Sequence, residues 1–275
     1  MDESKTHGRS IADRMANRVQ LNVPGSGSNP KLRRLIGAVN EDVELYTLWV
    51  AGNVNAVERL GMTDHGPVHV KIVMNIADKL FRLLTEHGVQ PSLVTNYDLS
   101  VDDAEIVVTL ASLFHDVGMS IHRPDHETFS LFIADRKIAE LLDGMYDTAT
   151  GTIVRTEALH AIIAHRSGSK PLTLEAGIVR VADALDMAKG RSRIPFAGGS
   201  MSIHSVSAAA IEAVHIEAGL TKPVRLRIEL SNSAGIFQLD QLFREKLGGS
   251  GLEPYVELEA EFAGEEKRIV ERFRL

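Results

Sequence analysis

The chain has 275 residues, 44% of them hydrophobic and 24% charged, the balance of an ordinary globular protein long enough for one large core or two modest ones. A net charge of −7 and the lack of a long Lys/Arg block argue against extended nucleic-acid binding. The absence of cysteine removes disulfides, thiolate nucleophiles and Cys-rich zinc sites, leaving histidines and carboxylates as metal ligands. No apolar run reaches the roughly 18–20 residues of a membrane span, and MDESKTHGRS has no signal-peptide core, so the expected location is the cytoplasm.

Residues 1–30 read as a polar tail and linker, with Pro24, Gly25, Gly27 and Pro30 as punctuation. Residues 31–198 carry helical periodicity without an intervening strand. NEDVELYTLWVAGNVNAVERLG starts at Asn40 with acidic residues in its first turn and stops at Gly61. GPVHVKIVMNIADKLFRLLTEHG has Pro67 at a first helical position and ends at Gly88. SVDDAEIVVTLASLFHDVG opens with Ser100 and Asp103 in capping-box spacing and ends at Gly118. Three more helices are expected to end at Gly144, Gly168 and Gly190. Residues 199–275 change pattern: Val224, Leu226, Ile228 and Leu230 alternate onto one face, FQLDQLFREKLGG reads as a helix, and the last segment as a hairpin. The expected fold class is mainly α, a helical bundle followed by a small α+β domain.

Eight of the eleven histidines fall between residues 65 and 165. Singly, each is more readily a surface or satisfied core histidine than a ligand, and an isolated His-Asp pair is common by chance. Their placement on apolar faces carries more weight. His69 sits one turn into its helix among Val68, Ile72, Val73 and Ile76, while His115 and Asp116 close another apolar helix. Asp183 is flanked by Ile178, Val179, Ala182 and Leu185. Burying such groups unpaired is costly. Facing helices of a bundle can build a metal site from them, and a divalent cation would satisfy all four.

In the right order and on separate helices, GPVHVKIVMNIADKLFRLL, LASLFHDVGM and AGIVRVADALDMA resemble segments of the HD superfamily of metal-dependent phosphohydrolases, over residues 40–195 or so. The resemblance implies an HD-type helical bundle that holds a metal through His69, His115, Asp116 and Asp183. Some relatives, including the cyclic-dinucleotide phosphodiesterases with the GYP signature, add histidines and hold two metals bridged by the Asp. His126 and His165 occupy comparable places here. The rest of that signature is absent, since Arg166, Ser167 and Gly168 follow His165 and the Asp116 to His126 spacing is short, so cyclic-di-GMP specificity is not implied. His160 is rotated away from His165 on the same helix and is expected to support the ligands from outside or to pack. His65 shares the face of His69 only if that helix extends back through Gly66 and Pro67.

A donor set of imidazoles and carboxylates suits one or two divalent transition-metal ions, Mn, Fe, Co, Ni or Zn, better than Mg. The expected reaction is attack of a metal-activated hydroxide on a phosphomonoester or phosphodiester, of a nucleotide or cyclic nucleotide, with His115 and Asp116 as catalytic residues. Candidates to meet the small phosphorylated substrate are His122, Arg123, Arg166, Lys189, Arg191 and Arg193. The last three also fit the C-terminal dipole of a helix, and His122 also reads as a solvent-facing loop residue. Ser231, Asn232, Ser233 and Gly235 precede a helix and read as an anion cradle or, more simply, as a capped loop. The C-terminal sheet offers a surface for a homo-oligomer. Two other readings stay open: an HD-fold di-iron oxygenase with the same ligands, and a non-catalytic, metal-stabilised ligand sensor.

Overall fold

The most apolar stretch of the chain forms its central helix. In the computed structural model, which describes residues 10–24, 26–187, 210–262 and 273–274, α1 (Ile11–Ala16), α2 (Pro30–Glu41), α3 (Val43–Asn53), α4 (Pro67–Glu86) and α5 (Ser92–Tyr97) lead to α6 (Val101–Phe114). Then come α7 (His126–Leu142), α8 (Thr148–Ala164) and α9 (Leu174–Leu185). Helix α6 is buried at every residue from Asp103 to Phe114 and packs against α4, α8 and α9. Its start is the expected capping box, in which Ser100 Oγ accepts from the Asp103 amide and the Asp103 carboxylate accepts from the Ser100 amide. Buried acids in its first turns are answered individually. Asp103 receives Lys31 at 2.5 Å and Tyr146 at 2.8 Å, and Glu105 receives Asn29 at 2.7 Å and Arg82 at 2.5 Å. Near its other end the buried Trp49 donates its indole N–H to the carbonyl of Leu113 at 2.9 Å.

Several boundaries differ from expectation for local reasons. The helix expected to start at Asn40 starts later: Asn40 and Glu41 end a separate helix, α2, and Asp42 caps α3 by accepting from the Leu45 amide at 2.9 Å. Helix α3 then passes into a π-helical turn, Val54–Arg59. Pro30 opens α2, where its missing N–H costs nothing, with Asn29 as the cap. Within the stretch read as tail and linker, Leu21 and Val23 enter the core. The short α5 was not anticipated, and α8 begins as early as Thr148, behind the cap Asp147.

The last part adds β1 (Ile211–Ala218), β2 (Val224–Leu230), α10 (Gly235–Leu242), β3 (Val256–Phe262) and β4 (Phe273–Arg274). Strand β2 is antiparallel to β1 and parallel to β3, and β3 is antiparallel to β4. The α10 connection between β2 and β3 makes the parallel pairing possible. Val224, Leu226, Ile228 and Leu230 are all fully buried and belong to the same apolar core as the helices. The two parts meet at α9, where the Ser250 carbonyl lies 2.3 Å from where a Cβ on Gly177 would stand, so only glycine admits this approach. No helix among the described residues is long and apolar enough to cross a membrane.

Candidate metal centre

Five helix ends deliver the ionisable groups to one place. Asp64 accepts from the amides of Gly66 and His69 at 3.1 and 3.2 Å and from Asn53 at 2.8 Å, which sets the start of α4 and the position of His69. His115 ends α6 and Asp116 follows it. His126 opens α7, His165 follows α8, and Asp183 lies in the last turn of α9. The six residues expected as ligands assemble as two groups, His69 with His115 and Asp183, and Asp116 with His126 and His165. Within each group the potential ligand atoms all lie within 4.8 Å of one another.

Asp116 faces both groups. Its Oδ2 lies 3.4 Å from Nε2 of both His69 and His115, while its Oδ1 lies 3.0 Å from His126 Nε2 and 3.6 Å from His165 Nε2. The opposite ring nitrogens are already used. His69 Nδ1 meets Asp186 at 2.6 Å, His115 Nδ1 meets the Ser112 carbonyl at 2.8 Å, and His165 Nδ1 meets the Ile162 carbonyl at 2.5 Å. Those oxygens only accept, so each Nδ1 carries the proton and each Nε2 offers a lone pair to the centre. The Nε2 atoms of His69 and His115 are 3.1 Å apart. Two facing lone pairs at that distance repel unless a proton or a cation stands with them. The donor set, all nitrogen and carboxylate oxygen, fits divalent transition metals on both sides of Asp116.

The electrostatics agree. Burial alone would lower the pKa of His115, but the Asp116 charge and, further off, Asp183 raise it to about 9. Burial would raise Asp116, yet the facing His115 and the hydrogen bonds of His126 and His165 hold it well below the usual carboxylate range. Asp183 is also held down against its burial, first by Lys246 and then by His115. His165 goes the other way, because burial disfavours its imidazolium more than Asp116 supports it. In metal-stripped protein the His115 proton adds stability that is complete below about pH 6.5, the unfolded value, and is lost as pH rises through about 9. A metal must displace that proton. Apparent metal affinity is therefore expected to rise about tenfold per pH unit up to about pH 9 and then level off, with proton release detected calorimetrically in buffers of different ionisation enthalpy. Affinity independent of pH over that range would contradict the assignment.

Gly118 and Ser130 join the His-Asp turn to α7. The Gly118 amide donates to Ser130 Oγ, which in turn donates to the His115 carbonyl, both at 2.8 Å. Asp125, just before His126, has left-handed backbone with φ 59° and pairs with Arg166 at 2.6 Å. Sequence reasoning passed over Asp186, Gly118, Ser130 and Lys246. Asp186 stands one turn beyond Asp183 and was in principle visible as a second carboxylate at helical spacing. Lys246 had no such signal, since it belongs to another part of the chain. Its Nζ lies 3.6 Å from Asp183 Oδ2 and donates to the His165 carbonyl at 3.0 Å.

Among the residues assigned to substrate, His122 is exposed, Arg123 places Nη1 2.8 Å from His126 Nδ1, and Arg166 is the partner of Asp125. Lys189, Arg191 and Arg193 lie outside the described residues. His160 stays outside the two groups, its Nε2 accepting from the Leu172 amide at 3.1 Å. His65 precedes α4 rather than lying on it, yet its ring centroid is 5.4 Å from that of His69 and its Nε2 is 4.0 Å from Asp116 Oδ2. Asn232 spends its side-chain oxygen on the amide of Ala234 at 3.0 Å, the geometry of a plain turn.

A helical bundle whose His, His-Asp and Asp come from separate helices in this order defines the class: the chain belongs to the HD domain family, which matches residues 68–188, a superfamily of metal-dependent phosphohydrolases. An uncharacterized protein of Methanocaldococcus jannaschii is similar to it, 42% identical over 217 residues, which span 79% of this chain and 84% of the relative. No solved structure matches the chain.

Proposed function

We propose that the protein hydrolyses a phosphomonoester or phosphodiester of a nucleotide or cyclic nucleotide, using two divalent metals held on either side of Asp116. The observation that supports this most is the two-sided carboxylate, with Oδ2 toward His69 and His115 and Oδ1 toward His126 and His165. Asp183 completes the first group. Metals held there would supply Lewis acidity and an activated water for the hydrolysis, in which a P–O bond to water oxygen would form, the P–O bond to the leaving group would break and a water proton would pass to the leaving oxygen. The chain's share is to fix the proton on Nδ1 and aim the rings, through the Asp186, Ser112 and Ile162 acceptors, so that Nε2 of each faces the centre.

The test is metal analysis of anaerobically purified protein, followed by reconstitution with Mn, Fe, Co, Ni or Zn and a panel of nucleotides, cyclic nucleotides and simple phosphate esters. The expected result is two metals per chain and phosphoester cleavage that chelation abolishes. Two irons with oxygen consumption and no hydrolysis would replace this reading by an oxygenase. A fully loaded protein that binds members of the panel without turning them over would make it a sensor.

A further inference from the structure

The centre is closed on most sides. The side chains of His69, His115, Asp116, His126 and His165 are each at most 6% exposed, whereas Asp183 is 22% exposed and the neighbouring Lys246 19%. Asp183 and Lys246 thus mark the most exposed edge of the centre, with His65, 15% exposed and 4.0 Å from Asp116, the next, and a substrate is expected to approach at the first. Lys246 comes from the π-helical turn Phe243–Leu247 in the second part of the chain, not from the HD bundle. Its position is built. Arg180, on α9, donates to the Glu245 carbonyl at 2.5 Å and to the Arg166 carbonyl at 3.2 Å, tying the turn before Lys246 to the turn after His165. Lys246 itself donates to the His165 carbonyl.

An ammonium has three N–H donors; the His165 carbonyl takes one at 3.0 Å, and Asp183 at 3.6 Å is an ion pair beyond hydrogen-bond reach. Beside an uncompensated Asp183 the ion pair is favourable. Once Asp183 serves a dication, the same ammonium stands next to a positive centre, and that arrangement is repulsive unless an anion lies between them. A phosphoryl group carries the charge and the oxygens to fill this role, and Lys binds phosphate as a point charge. We propose that Lys246, delivered by the second domain, binds a non-bridging phosphoryl oxygen of the substrate at the Asp183 edge. The HD bundle's own residues then form an incomplete site, and the second domain supplies its missing cation. This rests on the phosphohydrolase reading above.

The test uses the full chain loaded with Mn²⁺ and inorganic phosphate as the probe. Lys246→Gln is expected to keep the metal stoichiometry and weaken phosphate binding by about tenfold to a hundredfold, as loss of one charge-assisted hydrogen bond does, with Lys246→Arg recovering most of it. A second measurement needs no variant: phosphate should slow acylation of Lys246 in the loaded wild-type protein, read by mass spectrometry, and leave the exposed Lys79 unaffected. If the wild-type protein cleaves phosphoesters while Lys246→Gln binds phosphate as tightly as wild type, or Lys246 acylates equally with and without phosphate, Lys246 is only a latch between domains and the proposal fails alone. If the loaded wild-type protein neither binds phosphate nor cleaves any ester, the proposal falls together with the hydrolase reading.

Discussion

Asp116→Ala is expected to empty both sides of the centre at once. Each carboxylate oxygen faces a different pair of imidazoles, so a single truncation removes a ligand from both groups. The Lewis acidity of such metals is worth several kcal/mol in phosphoryl transfer, which corresponds to a fall in kcat/KM of about 10³-fold or more. Folding should survive, because the variant no longer buries a carboxylate, and His115 loses the charge that holds its proton. Metal analysis, turnover and circular dichroism together check this. A folded Asp116→Ala protein with two metals and normal turnover would refute the bridging role. Asp183→Ala offers a contrast, since it belongs only to the group with His69 and His115 and should spare metal on the His126 side.

Gly118→Ala is expected to be damaging although the residue offers no ligand. A Cβ there would stand 2.0 Å from the His126 carbonyl oxygen and 2.5 Å from the Ser130 amide nitrogen. Both are backbone atoms of α7, which cannot turn aside as a flexible side chain would, so the helix must shift. Overpacking of this kind costs about 1–3 kcal/mol, and at this chain length each kcal/mol lowers the melting midpoint by about 2–4 °C. The shift also carries His126 away from Asp116 and breaks the Ser130 link to the His115 carbonyl. Metal should be lost first from the His126 and His165 side, leaving a stoichiometry near one. An unchanged midpoint with full metal content would show that α7 adapts without cost.

Much of the bundle was legible because its helices announce their own ends. The Ser100 and Asp103 box, Pro67 at its helix start and the left-handed glycines at 61, 88, 144 and 168 are local devices, and local devices can be read from neighbouring residues. That six residues far apart in sequence come together was legible for another reason: ionisable groups on apolar helical faces need partners, and the family pattern supplied their order. What escaped depends on residues distant in sequence. The start expected at Asn40 moved to Val43 because Asn40 closes α2 and Asp42, not Asn40, caps α3. Leu21 and Val23 sit in a polar context and gain their burial only from the bundle they cover. Gly118 looked like a simple helix terminator, and its close approach to α7 exists only in three dimensions. Lys246 reaches the centre from a segment between β2 and β3, far along the chain from every other group of the centre, which no local pattern encodes.

The chain contains one tryptophan, and its indole N–H holds the carbonyl of Leu113, two residues before His115. The protein thus carries its own optical reporter at the root of the centre, with no competing emitter of the same kind. A change in the strand of backbone that presents His115 alters the hydrogen bond of that indole directly. Loading by a quenching ion such as Co²⁺ can be followed in the unlabelled protein, in real time, from the light of a single buried ring.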